Sequence, residues 1–321
     1  MKHIPLVNLN FLNRNRSHFR ASTVIIVNCN LPKITYSTFR TLLLLKIYEA
    51  IYPKADVQVA NRAIAIPSFE PRPLNFNVFQ QKPILKKVKD STSVAQYRSS
   101  IALELGAKST QTPQEIGDQF VQFFQASPSN SPEADLEKIL LRDLTVSSTE
   151  AGQLEFEFGD LAIAAWLQTV LQACVSRLQN SNSDFASSRQ LSENPQIFAC
   201  QYSYARCAAL LRLIPLDLIH QSTQGGMGIW LKDNKLLLAQ ERSLVAQIVT
   251  TLDEWEDSSV LKSAIALSQA FQFFYQNCQI VKCVAHNRQI AQCRLALVMI
   301  THWLLKQLLE QGLRVLAPET L

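Results

Sequence analysis

No stretch of this 321-residue chain approaches the roughly 18 consecutive apolar residues that a bilayer-spanning helix needs. Short runs such as Val24–Val27 and Leu42–Leu45 read instead as a strand and a core helix. A membrane is therefore not an expected partner. The seven cysteines contain no CxxC pair, and the N-terminus has no clean signal peptide. Both absences suit a reducing compartment, so the expected location is cytoplasmic. Acidic residues are missing altogether from the first 48 positions, which hold Lys2, Arg14, Arg16, Arg20, Lys33, Arg40 and Lys46.

Chemistry-bearing constellations are equally scarce. Gly225-Gly226-Met227-Gly228 lacks the Lys-Ser/Thr of a phosphate-binding loop and reads as a flexible connection between helices. Cys278, Cys283, His286 and Cys293 match no common zinc spacing, and His18, His220 and His302 stand isolated. No Ser/His/Asp or Cys/His grouping is visible. The expectation is no catalytic residue, no metal and no cofactor.

What is present is apolar bulk and an uneven charge. A hydrophobic content of 47% is enough for real cores in two ordinary domains. The first 90 residues carry 14 basic against 4 acidic groups, with Lys82, Lys86, Lys87 and Lys89 clustered; the remaining 231 carry 17 against 22. The net charge of +5 thus comes from the first 90 residues. A basic arm on a mildly acidic body suits a polyanion, because neutralising phosphates releases counterions. A mis-assigned start or an organelle transit peptide are the other readings of the same stretch.

Periodicity organises the chain into four pieces. Residues 1–35 show no sustained period and are expected to be a disordered basic extension. Residues 36–178 read as a small α+β domain. It comprises a helix over Tyr36–Tyr52, a strand over Asp56–Ile66, a proline-rich crossing and a helix over Gln96–Leu105. A further helix opens at Thr112-Pro113-Gln114-Glu115, with Thr112 as N-cap, Pro113 in the first position and Glu115 completing a capping box. Strands Leu144–Val146 and Leu154–Phe158 follow, separated by a turn at Glu150–Gly152, and Asp160 caps a last helix ending at Leu178. Residues 179–196, polar and Asn/Ser-rich, read as a linker. Residues 197–321 read as an all-α helical bundle with helices over Phe198–Ile214, Asn234–Glu254, Lys262–Gln276 and Gln289–Val315. Ser243, Thr250 and Thr251 are assigned to an exposed face, and Phe271 and Phe274 to the core.

Four motifs stand out: QYSYARCAALLR (Gln201–Arg212), ALSQAFQFFY (Ala266–Tyr275), CRLALV (Cys293–Val298), and a terminal APETL. In order and spacing they resemble the anticodon-binding (DALR) domain of the arginyl-tRNA synthetase family. That family's pattern is QYAHARI-x-S-x-LR, L-x-x-AF-x-x-FY, RLALV and APE-R-M. Upstream, AQYRSSIALELG-x5-TPQEIG from Ala95 and AGQLEFEFGDLAIAAWL from Ala151 resemble the family's N-terminal accessory domain. The family's HIGH and KMSKS-like motifs have no counterpart, and the polar stretch 179–196 stands where the family places its catalytic domain.

The resemblance implies tRNA as partner, an arginine tRNA first, gripped at its anticodon loop by Tyr275, Tyr202 and Arg206, with Leu321 at the family's terminal apolar position. It places Gln153, Glu155 and Arg98 where the accessory domain would meet the tRNA elbow. Carboxylates at 155 and 157 disfavour phosphate there. The family histidine is Tyr204. The favoured function is a non-catalytic, arginyl-tRNA synthetase-like tRNA-binding protein. Alternatives are a repurposed protein–protein interaction module, supported by 11 basic against 9 acidic residues in the bundle, and arginyl-tRNA aminoacylation only with a separate synthetase or catalytic unit in trans.

Overall fold

The computed structural model describes residues 38–51, 84–88, 93–126, 136–178, 191–232, 235–236, 239–255 and 258–321. The expected extension over residues 1–35, the strand over Asp56–Ile66 and the proline-rich crossing lie outside them, as does most of the linker.

The N-terminal part holds α1 (Phe39–Ile51), β1 (Leu85–Lys87), β2 (Gln96–Ser99), α2 (Ile101–Gly106), α3 (Pro113–Gln125), α4 (Leu136–Arg142), β3 (Leu144–Ser148), β4 (Leu154–Phe158) and α5 (Asp160–Leu178). The four strands among its described residues form one sheet in the order β1-β2-β4-β3, with every pairing antiparallel. Alternation sorts the residues of β2 and β4 between two faces. Tyr97, Ser99, Leu154, Phe156 and Phe158 turn inward and are at most 1% exposed, while Arg98, Glu155 and Glu157 turn outward. Phe39 closes the inner layer, with its ring centroid 4.5 Å from Phe158 and 5.0 Å from Trp166.

Local signals explain the element ends. Thr112 and Glu115 exchange both capping-box hydrogen bonds: the Glu115 amide donates to Thr112 Oγ1 at 3.2 Å and the Thr112 amide to Glu115 Oε2 at 2.8 Å. The β3–β4 turn requires Gly152, whose φ is +80° and whose place a Cβ would bring within 2.6 Å of Pro113. The helix expected over Gln96–Leu105 is corrected. Its first four residues are strand β2, because Tyr97 and Ser99 alternate into the core, and the helix begins only at Ile101. The expected cap by Asp160 also differs: Asp160 is the first residue of α5, the Ala162 amide donates to Asp143 Oδ2 at 2.8 Å, and Asp160 Oδ2 lies 3.2 Å from Arg242 Nη1.

The C-terminal part is helical: α6 (Pro195–Leu213), α7 (Leu216–Gln224), a 3₁₀ turn (Gly226–Ile229), a two-stranded ribbon of β5 (Leu231–Lys232) and β6 (Lys235–Leu236), α8 (Ala239–Asp253), α9 (Val260–Asn277), α10 (Ile280–His286) and α11 (Arg288–Lys306). Where a connection was expected at Gly225–Gly228, part of the segment is the 3₁₀ turn. The last helix ends nine residues before its expected end at Val315. A π-helical turn over Gln307–Gly312 follows, in which the Leu313 amide donates to Leu308 O at 2.8 Å. That wider turn buries Leu308 and Leu309 side by side. Gly312 permits it, since a Cβ there would come within 2.3 Å of Val260 Cγ1.

The two parts share one continuous hydrophobic core: α5 packs against α11 and the 3₁₀ turn, and α1 against α8. Polar contacts cross the same seam. Tyr97 Oη donates to Asp253 Oδ2 at 2.5 Å, the Arg40 amide donates to Asp253 Oδ1 at 3.3 Å, and Lys87 Nζ donates to Ala246 O and Thr250 Oγ1 at 2.9 and 2.8 Å. Trp230 Nε1 donates to Gln168 Oε1 at 3.1 Å. This seam corrects the expected exposed face of α8: Ser243 is exposed, but Thr251 is 1% exposed and Thr250 meets Lys87. Desolvation drives the seam's titrations. Burial lowers Lys87 to about 8, against the pull of Asp253 and Glu254, and raises both Tyr97 and Asp253.

Candidate nucleic-acid interface

Helix α6 carries the first expected residues, and its start is well specified. Pro195 occupies the first helical position and Asn194 caps it, accepting from the Gln196 amide at 2.9 Å. The polar and aromatic residues of the Gln201–Arg206 segment then have distinct tasks. Gln201 is fully buried; its Oε1 accepts from the Ser192 amide at 3.0 Å and its Nε2 donates to Leu316 O at 2.8 Å. One side chain thereby ties the segment entering α6 to the C-terminal tail. Ser203 donates to Ala199 O and accepts from Gln272 Nε2 of α9 at 3.0 Å, locking α6 to α9. Tyr204 is 1% exposed and stacks on His302 of α11, with centroids 4.4 Å apart and planes at 16°. Burial pushes His302 down to about 4, helped by Lys306 and Arg212, so it is neutral at physiological pH.

With that inner face fixed, Tyr202 and Arg206 turn outward. Arg206 Nη2 donates to the Tyr202 hydroxyl at 2.7 Å. Its guanidinium carbon lies 5.3 Å from the Tyr202 ring centroid and 5.5 Å from that of Tyr275, which α9 delivers from the other side of the seam. Both contacts fall within cation–π range. Tyr202 is 41% exposed and Tyr275 37%. Tyr275 rests on Phe271 (centroids 6.2 Å apart), while Phe271 and Phe274 are buried as expected. The hydrogen bond to Tyr202 raises Arg206 further above its already high value, so it stays charged. Two open rings bridged by a permanent cation form a surface that planar, electron-rich or anionic groups can approach.

Leu321 lies at the end of a tail anchored to the same helix: Arg212 Nη2 donates to Glu319 O at 3.0 Å, and Leu321 itself is 53% exposed. The other expected residues are brought together on the outer face of the N-terminal sheet. Arg98 and Glu155 are cross-strand partners joined by an ion pair of 2.8 Å. Arg98 and Gln153 line an open cavity of about 400 Å³ with Ile84, Lys86, Ser100 and Glu104. The carboxylate of Glu155 is thus neutralised by its neighbour, while Glu157 stays exposed on the same face.

Among the described residues no three His, Cys, Asp or Glu side chains gather as a metal-holding group. Arg294 occupies the cysteine cluster instead, donating from Nη1 to Cys283 Sγ at 2.9 Å and from Nε to Glu241 Oε1 at 2.8 Å. No helix among these residues is long and apolar enough to cross a membrane. Residues that sequence reasoning passed over are Gln201, Gln272 and His302, whose partners lie 115, 69 and 98 positions away. The one available signal was the place of Gln201 beside Tyr202 in the motif.

Residues 200–321 match the DALR anticodon binding domain, a span that takes in α6 from Cys200 onward, α9, α11 and the tail. Two curated relatives extend the likeness upstream. The arginine–tRNA ligase of Synechococcus sp. (strain JA-3-3Ab) is 27% identical over 140 residues, covering 41% of this chain and 23% of that protein. The arginine–tRNA ligase of Gloeobacter violaceus is 26% identical over 202 residues, covering 58% of this chain and 31% of that protein. The chain therefore matches less than a third of the length of either relative, and no solved structure matches it. The class of the helical part is that of an anticodon-binding domain. Over the stretches that match, the chain is similar to arginine–tRNA ligases.

Proposed function

We propose that this protein binds tRNA, an arginine tRNA in particular, through the anticodon loop, and does not itself aminoacylate it. The observation that carries the reading is the exposed Tyr202–Arg206–Tyr275 cluster on the α6–α9 seam. Unpaired loop bases stack on aromatic rings and guanidinium planes, each contributing roughly 1–3 kcal/mol, and the cation attracts the phosphates between them. The proposed domain arrangement is an accessory part to residue 178, a short connection over residues 179–196 and the anticodon-binding part from 197. In it the elbow-side residues Arg98, Gln153 and Glu155 contribute less, because Glu155 consumes the charge of Arg98.

A gel-shift titration with arginine tRNA and unrelated tRNAs tests the reading. Preferential binding of arginine tRNA, weakened at least fivefold by Tyr275→Ala, is expected. Weak, salt-abolished binding to every tRNA, indifferent to Tyr275→Ala, would sink it.

A second reading, a protein-interaction module, draws on exposed apolar side chains of the helical part such as Leu213, 70% exposed, and Phe273, 50% exposed. Capture of a defined protein after RNase treatment, with no tRNA retained, favours that reading instead. ATP–pyrophosphate exchange by the isolated chain would contradict the non-catalytic part; aminoacylation restored by adding a catalytic unit would place the chain as a partner in trans.

A further inference from the structure

We infer that Phe198 is a further nucleotide-stacking residue, and that the outer face of α6 offers successive unpaired nucleotides a row of stacking surfaces instead of a single one. The inference rests on the tRNA-binding reading above. Phe198, Tyr202 and Arg206 follow one another at four-residue spacing on α6. Four residues advance about 6 Å along a helix and turn it by only about 40° beyond a full turn, so the three side chains form a row about 12 Å long. The row begins in the first turn of the helix, where the helix dipole favours a phosphate.

Phe198 is 42% exposed and Tyr202 41%, and neither is needed to fill the core, which α6 reaches through Cys200, Tyr204, Cys207 and Leu210. A large aromatic ring left in solvent beside an exposed tyrosine and a permanent cation is a patch with a use. Its composition selects the occupant. Ring, ring, guanidinium and the Tyr275 ring are four planar groups in succession, and every base presents a face that stacks on such groups without regard to sequence. The charge agrees: α6 and α9 together carry Arg206, Arg212 and Lys262 and no Asp or Glu, so a phosphate backbone following the row meets no carboxylate on either helix. The row thus takes consecutive single-stranded nucleotides, and Tyr275 marks only its far end.

The test uses the full-length chain and a labelled anticodon stem–loop RNA, followed by fluorescence anisotropy across a salt series. Stacking of one base corresponds to roughly 5- to 150-fold in affinity. Phe198→Ala and Phe198→Leu are each expected to weaken binding at least fivefold, Phe198→Tyr to retain it, and none to alter the slope of affinity against salt, because no charge is removed. Arg206→Ala, by contrast, lowers that slope. The ringless leucine variant keeps an apolar side chain, and thermal melting verifies that it folds. If both ringless variants bind like the wild type while Tyr275→Ala is weakened, the row is overturned and the tRNA-binding reading stands. If the wild-type chain binds no stem–loop at any salt concentration, both fall together.

Discussion

Removing the phenolic oxygen of Tyr97 probes whether the sheet and the helical bundle behave as one cooperative body. Tyr97 is fully buried and its hydroxyl donates at 2.5 Å to Asp253, a partner 156 residues away on α8. Tyr97→Phe removes that donor and leaves the ring packing against Phe158 in place. The Asp253 carboxylate keeps the Arg40 amide at 3.3 Å and the charge of Lys87, but it loses one donor in a desolvated seam. A hydrogen bond to a charged group contributes about 1.5–3 kcal/mol net, so a loss of ~2 kcal/mol is expected, about 30-fold in the folding equilibrium. Equilibrium urea unfolding reads it directly, with Trp166 reporting on α5 and Trp230 and Trp303 on the helical part. The midpoint should fall with an unchanged slope against urea. In a double-mutant cycle with Asp253→Asn the two losses should overlap by about 1 kcal/mol or more. A Tyr97→Phe loss below about 0.5 kcal/mol, or strictly additive losses, would refute the hydrogen bond as a link between the two parts.

The same seam has a pH signature. Burial lowers Lys87 to about 8 from 10.5, so its contribution to stability is present above pH 10.5 and lost as pH falls through 8. Wild-type stability should therefore rise by up to ~3 kcal/mol between pH 8 and 10.5 relative to Lys87→Met, as urea midpoints at several pH values would show; parallel profiles would contradict this. Glu241→Ala strands the guanidinium of Arg294, whose pair is only 8% and 3% exposed, and should cost about 3–5 kcal/mol by the same measurement. Gln201→Leu leaves the Ser192 amide and the Leu316 carbonyl without their partner, a loss of about 1–3 kcal/mol for each desolvated group. Limited proteolysis should then cut the tail faster, and an unchanged cutting rate would show that the tail is held by other contacts.

Signals confined to neighbouring residues were readable in the sequence. Thr112, Pro113 and Glu115 announced their helix because a capping box is complete within four positions. Strands β3 and β4 emerged from alternation around Gly152. What stayed hidden depends on distant partners or on elements too short to show a period. Gln96–Ser99 merges with Ile101–Gly106 into one apparently helical run, and only its pairing with β1 and β4 makes it a strand. Helix α4 has seven residues, barely two turns. Thr250 and Thr251 looked like surface residues because nothing in α8 reveals that Lys87 and Tyr97 will cover it. At the interface, resemblance supplied Tyr202, Arg206 and Tyr275, but not that Arg206 would lie between the two rings.

That position of Arg206 has an entropic consequence. A free arginine side chain samples many rotamers, and immobilising one on association costs about 0.5–1.5 kcal/mol. Here the Tyr202 hydroxyl and two ring faces already restrict it within the folded chain. Part of that ordering is in place before any ligand arrives, so a ligand meets a preorganised cation and retains more of its interaction energy as affinity.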